Sequence, residues 1–115
     1  MKRGEVYWAT LAPRSGAEQS GRRPVIIVSR DAFNQAPGWQ SVIVVPVSTS
    51  PSEARRGPTV VALPAGAGGL PQESTAVCHQ VTTLDRGKLT VALGSLTSTQ
   101  LQEGETGLRI ALGMP

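Results

Sequence analysis

Little in this chain can cross-link it: among 115 residues there is one cysteine, Cys78, and one histidine, His79. A lone cysteine excludes an internal disulfide, and one Cys with one His falls short of the four ligands of a structural zinc site. A lone histidine also excludes a two-histidine acid–base scheme. Aromatics make up 3% of the residues, and the only large rings are Tyr7, Trp8, Phe33 and Trp39, so the core must be built from Val, Leu, Ile and Ala. The charged share, 17%, is low against 39% hydrophobic, which argues against disorder. No apolar run approaches the roughly 20 residues that span a bilayer, and no apolar signal core follows the first charges. The expectation is a soluble, cytoplasmic protein with no membrane partner. Neither G-x-x-x-x-G-K-[ST] nor G-x-G-x-x-G occurs, which disfavours the nucleotide-binding enzymes that use them.

What is present is basic and β-rich. The length fits one domain, residues 1–115. Net charge is +3 but uneven: residues 1–56 hold eight basic residues and four acids (+4), and the remainder three and four (−1). Nine of the eleven basic residues are Arg, whose planar fork suits phosphate; a solubilising surface would use them equally well. Strands are expected at Glu5–Leu11, 24–30, Ser41–Ser48, 59–63, 74–82 and 88–94, where β-branched and apolar residues cluster between Gly and Pro. Pro46 suggests that the third lies at a sheet edge or carries a bulge. Residues 12–21, 31–40, 49–57, 64–72 and 83–87 read as loops and turns, with 64–72 flexible. Thr97 and Gln100 form a T-x-x-Q capping box ahead of one terminal helix. Leu101, Leu108, Ala111 and Leu112 share its apolar face, and Gly104 and Gly107 weaken it. The fold class is mainly β, a small curled antiparallel barrel with a C-terminal α-helix.

Three places can carry chemistry. In residues 16–24, two glycines surround Glu18, Gln19 and Ser20, with Arg22 and Arg23 beside Pro24. A guanidinium held at a strand start suits stabilisation of developing charge; the same composition also suits an inert polar loop. Ser48-Thr49-Ser50 ends an apolar strand, where hydroxyls can bond a phosphate oxygen or cap a turn. His79-Gln80 lies late in the fifth strand, where Gln80 can bond a base edge or face solvent. Cys78 reads as a small buried hydrophobe.

These residues, taken in order, resemble the MazF/PemK toxins of bacterial toxin–antitoxin pairs. Arg3-Gly4-Glu5-Val6-Tyr7-Trp8 looks like that family's first strand, and Glu18-Gln19-Ser20-Gly21-Arg22-Arg23-Pro24 is similar to its E-Q-x-G-x-R-P motif. Val42-Ile43-Val44-Val45-Pro46-Val47-Ser48-Thr49-Ser50 looks like its third strand, ending in a hydroxyl pair. Leu70-Pro71-Gln72-Glu73-Ser74 and Gln80-Val81-Thr82-Thr83-Leu84-Asp85 resemble its later L-P-x-[DE]-S and Q-[IV]-x-T-[IL]-D stretches.

The resemblance implies an SH3-like barrel, a homodimer, and a metal-independent, cofactor-free endoribonuclease that cuts single-stranded mRNA at short sequences. It also implies an acidic, MazE-like antitoxin with a disordered tail. Carried over, Arg23 takes the catalytic Arg position, and Ser48 aligns on a catalytic Thr with Thr49 next to it. Glu18 and Gln19 match loop residues, and Gln80 a groove residue; Thr82 stands where the family often has a basic one. Ser20, Arg22, Arg55 and Arg56 are further candidate RNA contacts. Without a metal, the RNA's own 2′-OH can attack phosphorus, leaving a 2′,3′-cyclic phosphate and a 5′-OH. Arg23 would stabilise the phosphate, Ser48 or Thr49 would hold a non-bridging oxygen, and Glu18 is the candidate base, unless it pairs with Arg22 or Arg23. Trp39 or Phe33 can stack a base. Two other readings fit the same fold: a non-catalytic binding module and a gyrase-poisoning toxin.

Overall fold

The Val/Ile runs of the sequence are the strands buried on both faces. In the computed structural model, which describes residues 1–11 and 21–115, these runs are β2 (Gly21–Ile27) and β3 (Ser41–Ser48). The other strands are β1 (Glu5–Leu11), β4 (Val60–Leu63), β5 (Ser74–Val77), β6 (Thr82–Asp85) and β7 (Leu89–Ser95). Their order is β4-β5-β3-β2-β1-β7, with β6 also paired to β3, and every pairing is antiparallel. Alternation sends Val25, Ile27, Val42 and Val44 to one apolar cluster and Ile26, Val45 and Val47 to another. A strand with both faces covered reads as a continuous apolar run, which is why 25–27 and 44–47 look as they do, while Ile43 is exposed.

Among the described residues, seven strands stand where six were expected. The predicted strand 74–82 is broken by a single 3-10 turn at Cys78–Gln80, and the predicted turn 83–87 begins with β6. The cause is the length of β3. Its first half pairs with β6 (Ser41↔Asp85 to Val44↔Thr82) and its last two residues with β5 (Val47↔Ala76, Ser48↔Thr75). The turn carries the chain from one partner position to the other.

Pro46 follows from the same geometry. It is neither at an edge nor in a bulge: β3 is central, and Val25↔Pro46 continues an unbroken register with β2. The Ile43 carbonyl accepts from Val28, so alternation points the backbone of residue 46 away from β2. On that side β3 passes from β6 to β5, its last pair with β6 being Val44↔Thr82 and its first with β5 Val47↔Ala76, so the missing N–H falls where the ladder changes partner.

Strand β2 starts at Gly21, earlier than expected, because β1 reaches far enough to pair Leu11↔Gly21. Arg22, Arg23 and Pro24 therefore sit within a strand, Pro24 opposite Trp8. Single-turn helices α1 (Asp31–Asn34) and α2 (Pro51–Ala54) occupy two of the expected loops.

The segment 64–72, expected to be flexible, is pinned. Gly68 and Gly69 have φ of +56° and +77°, and added Cβ atoms would stand 2.5 Å from Val6 Cγ2 and 2.1 Å from the Leu93 carbonyl oxygen. Only glycine allows this turn to rest on β1 and β7. The contact brings the β4–β5 connection against β7, at the opposite end of the strand order. Among the described residues no hydrogen-bonded pairing joins β4 to β7, so the sheet is curled but its closure into a barrel is not seen.

The terminal helix α3 (Ser98–Leu112) forms as expected, with both bonds of the Thr97–Gln100 capping box present. Of the expected apolar face, Leu108 packs on the core while Leu112 is exposed. Arg3 clasps the helix to the sheet: its guanidinium pairs with Glu105 and donates to the Val28 carbonyl, and its backbone N–H donates to Asp31.

Candidate active site at one end of the sheet

Register places the candidate residues. β1, β2, β3 and β5 are consecutive neighbours in the sheet, and the end of β3 lies beside the starts of β2 and β5. The side chains there enclose a cavity of 140 Å³. Arg22, Arg23, Thr49, Trp8, Pro71 and Gln72 are among the residues that line it. Two guanidiniums line it and, among the described residues, no carboxylate does. Such a cavity suits an anion.

The two hydroxyls at the end of β3 are not equivalent. Ser48 is 3% exposed, and its Oγ accepts the Ser50 backbone N–H at 3.0 Å. It ties the turn that leaves β3. Thr49 is exposed and lines the cavity with Arg23.

Arg22 is fixed by its partner strand. Thr10↔Arg22 and Trp8↔Pro24 are paired, so Arg22 and Trp8 are diagonal neighbours on one face. The Arg22 Cζ lies 4.3 Å from the Trp8 ring centroid, a cation–π contact.

The other predicted site residues stand apart. Glu18, Gln19 and Ser20 lie outside the described residues. Gln80 is half-buried in the turn between β5 and β6 and does not line the cavity. Arg55 and Arg56 are exposed at the end of α2, with Arg56 3.4 Å from Glu53. His79 bonds Thr59 at 2.8 Å, also away from the cavity. Phe33 and Trp39 stack on each other, centroids 4.7 Å apart. They precede β3 and thus lie near its far end, roughly 20 Å from Ser48 at about 3.3 Å per residue. They cannot stack a base held in this cavity. Burial pushes the Cys78 thiol up to about 11, which leaves no thiolate for nucleophilic attack near neutrality.

Trp8 and Gln72 were not among the expected site residues. Gln72 lies in the L-P-x-[DE]-S stretch, but only the register of β5 on β3 brings it beside Thr49. A larger hollow of 330 Å³ between β4 and α3 has Glu103 as its only charged lining residue, and does not suit an anion.

Comparison with protein families matches residues 2–112 to a family described as PemK-like, MazF-like toxin of type II toxin–antitoxin system. The chain is 32% identical over 114 residues to endoribonuclease MazF6 of Mycobacterium tuberculosis, covering 99% of this chain and 98% of that one. It is 32% identical, again over 114 residues, to endoribonuclease MazF of Staphylococcus saprophyticus, covering 99% and 92%. Among solved structures, it resembles an endoribonuclease in complex with its cognate antitoxin from a mycobacterial species, with a TM-score of 0.80, 29% identity and coverage of 100% and 97%. MazF from Deinococcus radiodurans gives a TM-score of 0.80 at 29% identity, covering 99% and 97%.

Proposed function

The chain belongs to the PemK-like, MazF-like toxins of type II toxin–antitoxin systems, and on that premise we propose that it is a metal-independent endoribonuclease that cuts single-stranded mRNA at specific short sequences. The observation that carries this reading is the cavity that Arg22, Arg23 and Thr49 line together. Two guanidiniums and a hydroxyl match the charge and the acceptor oxygens of a phosphodiester.

The reaction needs an aligned nucleophile, stabilised charge and two proton movements. The 2′-OH attacks the adjacent phosphorus, its proton passing to a base, while the bond to the 5′-oxygen breaks and that oxygen takes a proton from solvent. The products are a 2′,3′-cyclic phosphate and a 5′-OH. Arg23, permanently charged, binds the non-bridging oxygens as negative charge grows on them. Thr49 donates to the same oxygens, while Ser48 holds the turn that carries it. Glu18 is the base, a role that rests on sequence alone. Gln19, Ser20, Arg22, Gln80, Arg55 and Arg56 contact RNA beyond the scissile phosphate.

The fold is read as an SH3-like barrel, supported by the curl that brings 64–72 onto β7. Residues 1–115 act as one toxin domain, as a cytoplasmic homodimer, held inactive by an acidic antitoxin. Solved structures of relatives with their antitoxins support that partner. Incubating the purified protein with long single-stranded RNA in EDTA tests the activity: discrete fragments with 5′-OH ends are expected. Intact RNA, or full activity in a folded Arg23→Ala variant, would overturn the assignment.

A further inference from the structure

We propose that the same cavity reads one base of the substrate: the Trp8–Arg22 pair is a shelf for a single unstacked nucleobase, and the Gln72 amide bonds its edge, with adenine the matched base. This rests on the reading of the chain as an RNA-cleaving enzyme.

Three features carry it. The first is the shelf. Arg22 covers the Trp8 ring at 4.3 Å, and Arg22 is exposed where Trp8 is half-buried. The guanidinium therefore lies on the outer side of the indole. Bases of single-stranded RNA stack on guanidinium planes as on aromatic rings. The second is size. A cavity of 140 Å³ suits one ring system and not a whole nucleotide, so base and phosphate would share its lining, the base toward Trp8 and Gln72 and the phosphate toward Arg23 and Thr49.

The third is Gln72. Its backbone carbonyl accepts the Ser74 hydroxyl at 2.8 Å, and Pro71 restricts the preceding backbone. The main chain is thus fixed, and Gln72 lines the cavity with a side-chain amide that has no hydrogen-bond partner among the described residues. An amide offers a donor and an acceptor side by side. Adenine answers with an amino donor flanked by ring-nitrogen acceptors, the pairing that Gln makes with it on DNA. Neither Trp8 nor Gln72 is needed to stabilise the phosphate, so both are assigned to selecting the site of cutting.

The test is to map fragment 5′ ends from a randomised RNA pool at limiting enzyme. The wild type should show adenine strongly enriched at one position beside the cut. Gln72→Ala should flatten that position alone and lower kcat/KM on the preferred RNA by roughly tenfold or more. Gln72→Glu, whose carboxylate only accepts, should shift the preference toward cytosine. In a Trp39→Phe protein, where Trp8 is the sole indole, a short RNA with a 2′-deoxy group at the cut should quench fluorescence if it carries the preferred base. The quench should be lost when that base is abasic. A base profile unchanged by Gln72→Ala, or Trp8 emission indifferent to the abasic RNA, would overturn the subsite and leave cleavage standing. A wild type that leaves RNA whole would overturn both.

Discussion

Gly107 leaves the room that Cys78 occupies: a Cβ at 107 would stand 2.8 Å from the Cys78 sulfur and 3.3 Å from its Cβ. The glycine that weakens α3 in isolation is thus what lets the helix dock on the turn at Cys78–Gln80. Gly107→Ala should be destabilising, because overpacking costs about 1–3 kcal/mol against a helix-propensity gain of at most about 1 kcal/mol. Urea denaturation measures the difference. Adding Cys78→Ala should recover part of the loss by removing the sulfur contact, and a strictly additive double mutant would refute the steric account.

Gly104 predicts the opposite sign on the same helix. A Cβ there meets nothing within 4 Å. Gly104→Ala should stabilise by up to about 1 kcal/mol, raising Tm by roughly 4 °C in a domain of this size. A lower Tm would mean that the position is not open.

Ser48 and Thr49 should separate stability from activity. Ser48→Ala leaves the Ser50 N–H without its acceptor and should cost about 1–3 kcal/mol, while much of the cleavage rate survives in the folded protein. Thr49→Val removes an exposed hydroxyl and should leave Tm nearly unchanged, but lower kcat by roughly 10²-fold, as loss of one oxyanion donor does. Paired melting curves and single-turnover cleavage would check both, and the reverse pattern would reassign the catalytic hydroxyl to Ser48.

Much of this was legible in the sequence, for reasons that particular residues make plain. β1, β3 and the capped start of α3 follow from local pattern: alternation, β-branched runs and the Thr97–Gln100 box. What misled was everything set by a distant partner. Pro46 looks like an edge residue until β3 is seen to change partners beside it. The glycines at 68 and 69 look like flexibility until their contacts with Val6 and Leu93 are known. At the site, Arg23 and the hydroxyl pair were visible as motif residues. Trp8 stood in a motif without being a site candidate, because only the hairpin register sets it diagonal to Arg22. The choice between Ser48 and Thr49 depends on burial, which alternation along β3 could not rank without knowing what covers the strand.

Cys78 makes the stability depend on alkaline pH. Burial raises its thiol from 9.0 to about 11. Between those values the unfolded chain gives up the proton first and binds fewer protons than the folded one, so stability falls as pH rises. The contribution is intact below pH 9 and is lost through pH 11, on the order of 2 kcal/mol in all. Urea midpoints at pH 8 and 10.5 should fall more in the wild type than in Cys78→Ala, and equal falls would exclude the thiol as the cause.

Arg86 should be irreplaceable by lysine. Its Nε donates to the Trp39 carbonyl at 2.9 Å, and its two terminal nitrogens to those of Asn34 and Phe33 at 2.7 and 3.4 Å. One planar cation thus satisfies two carbonyls of α1 and one of its connection to β3, and ties the Phe33–Trp39 stack to the residue that follows β6. A lysine carries the same charge on a single nitrogen and cannot span the three. Arg86→Lys should therefore cost about 1–3 kcal/mol, the worth of a hydrogen bond to a charged group, with Arg86→Ala at least as damaging. Amide exchange should quicken at Ala36 and Trp39, whose N–H groups bond the Phe33 and Ala36 carbonyls within that connection. The cavity of Arg23 and Thr49, near the other end of β3, should keep its cleavage rate. Unchanged exchange in Arg86→Lys would mean that charge, and not the fork, braces the loop.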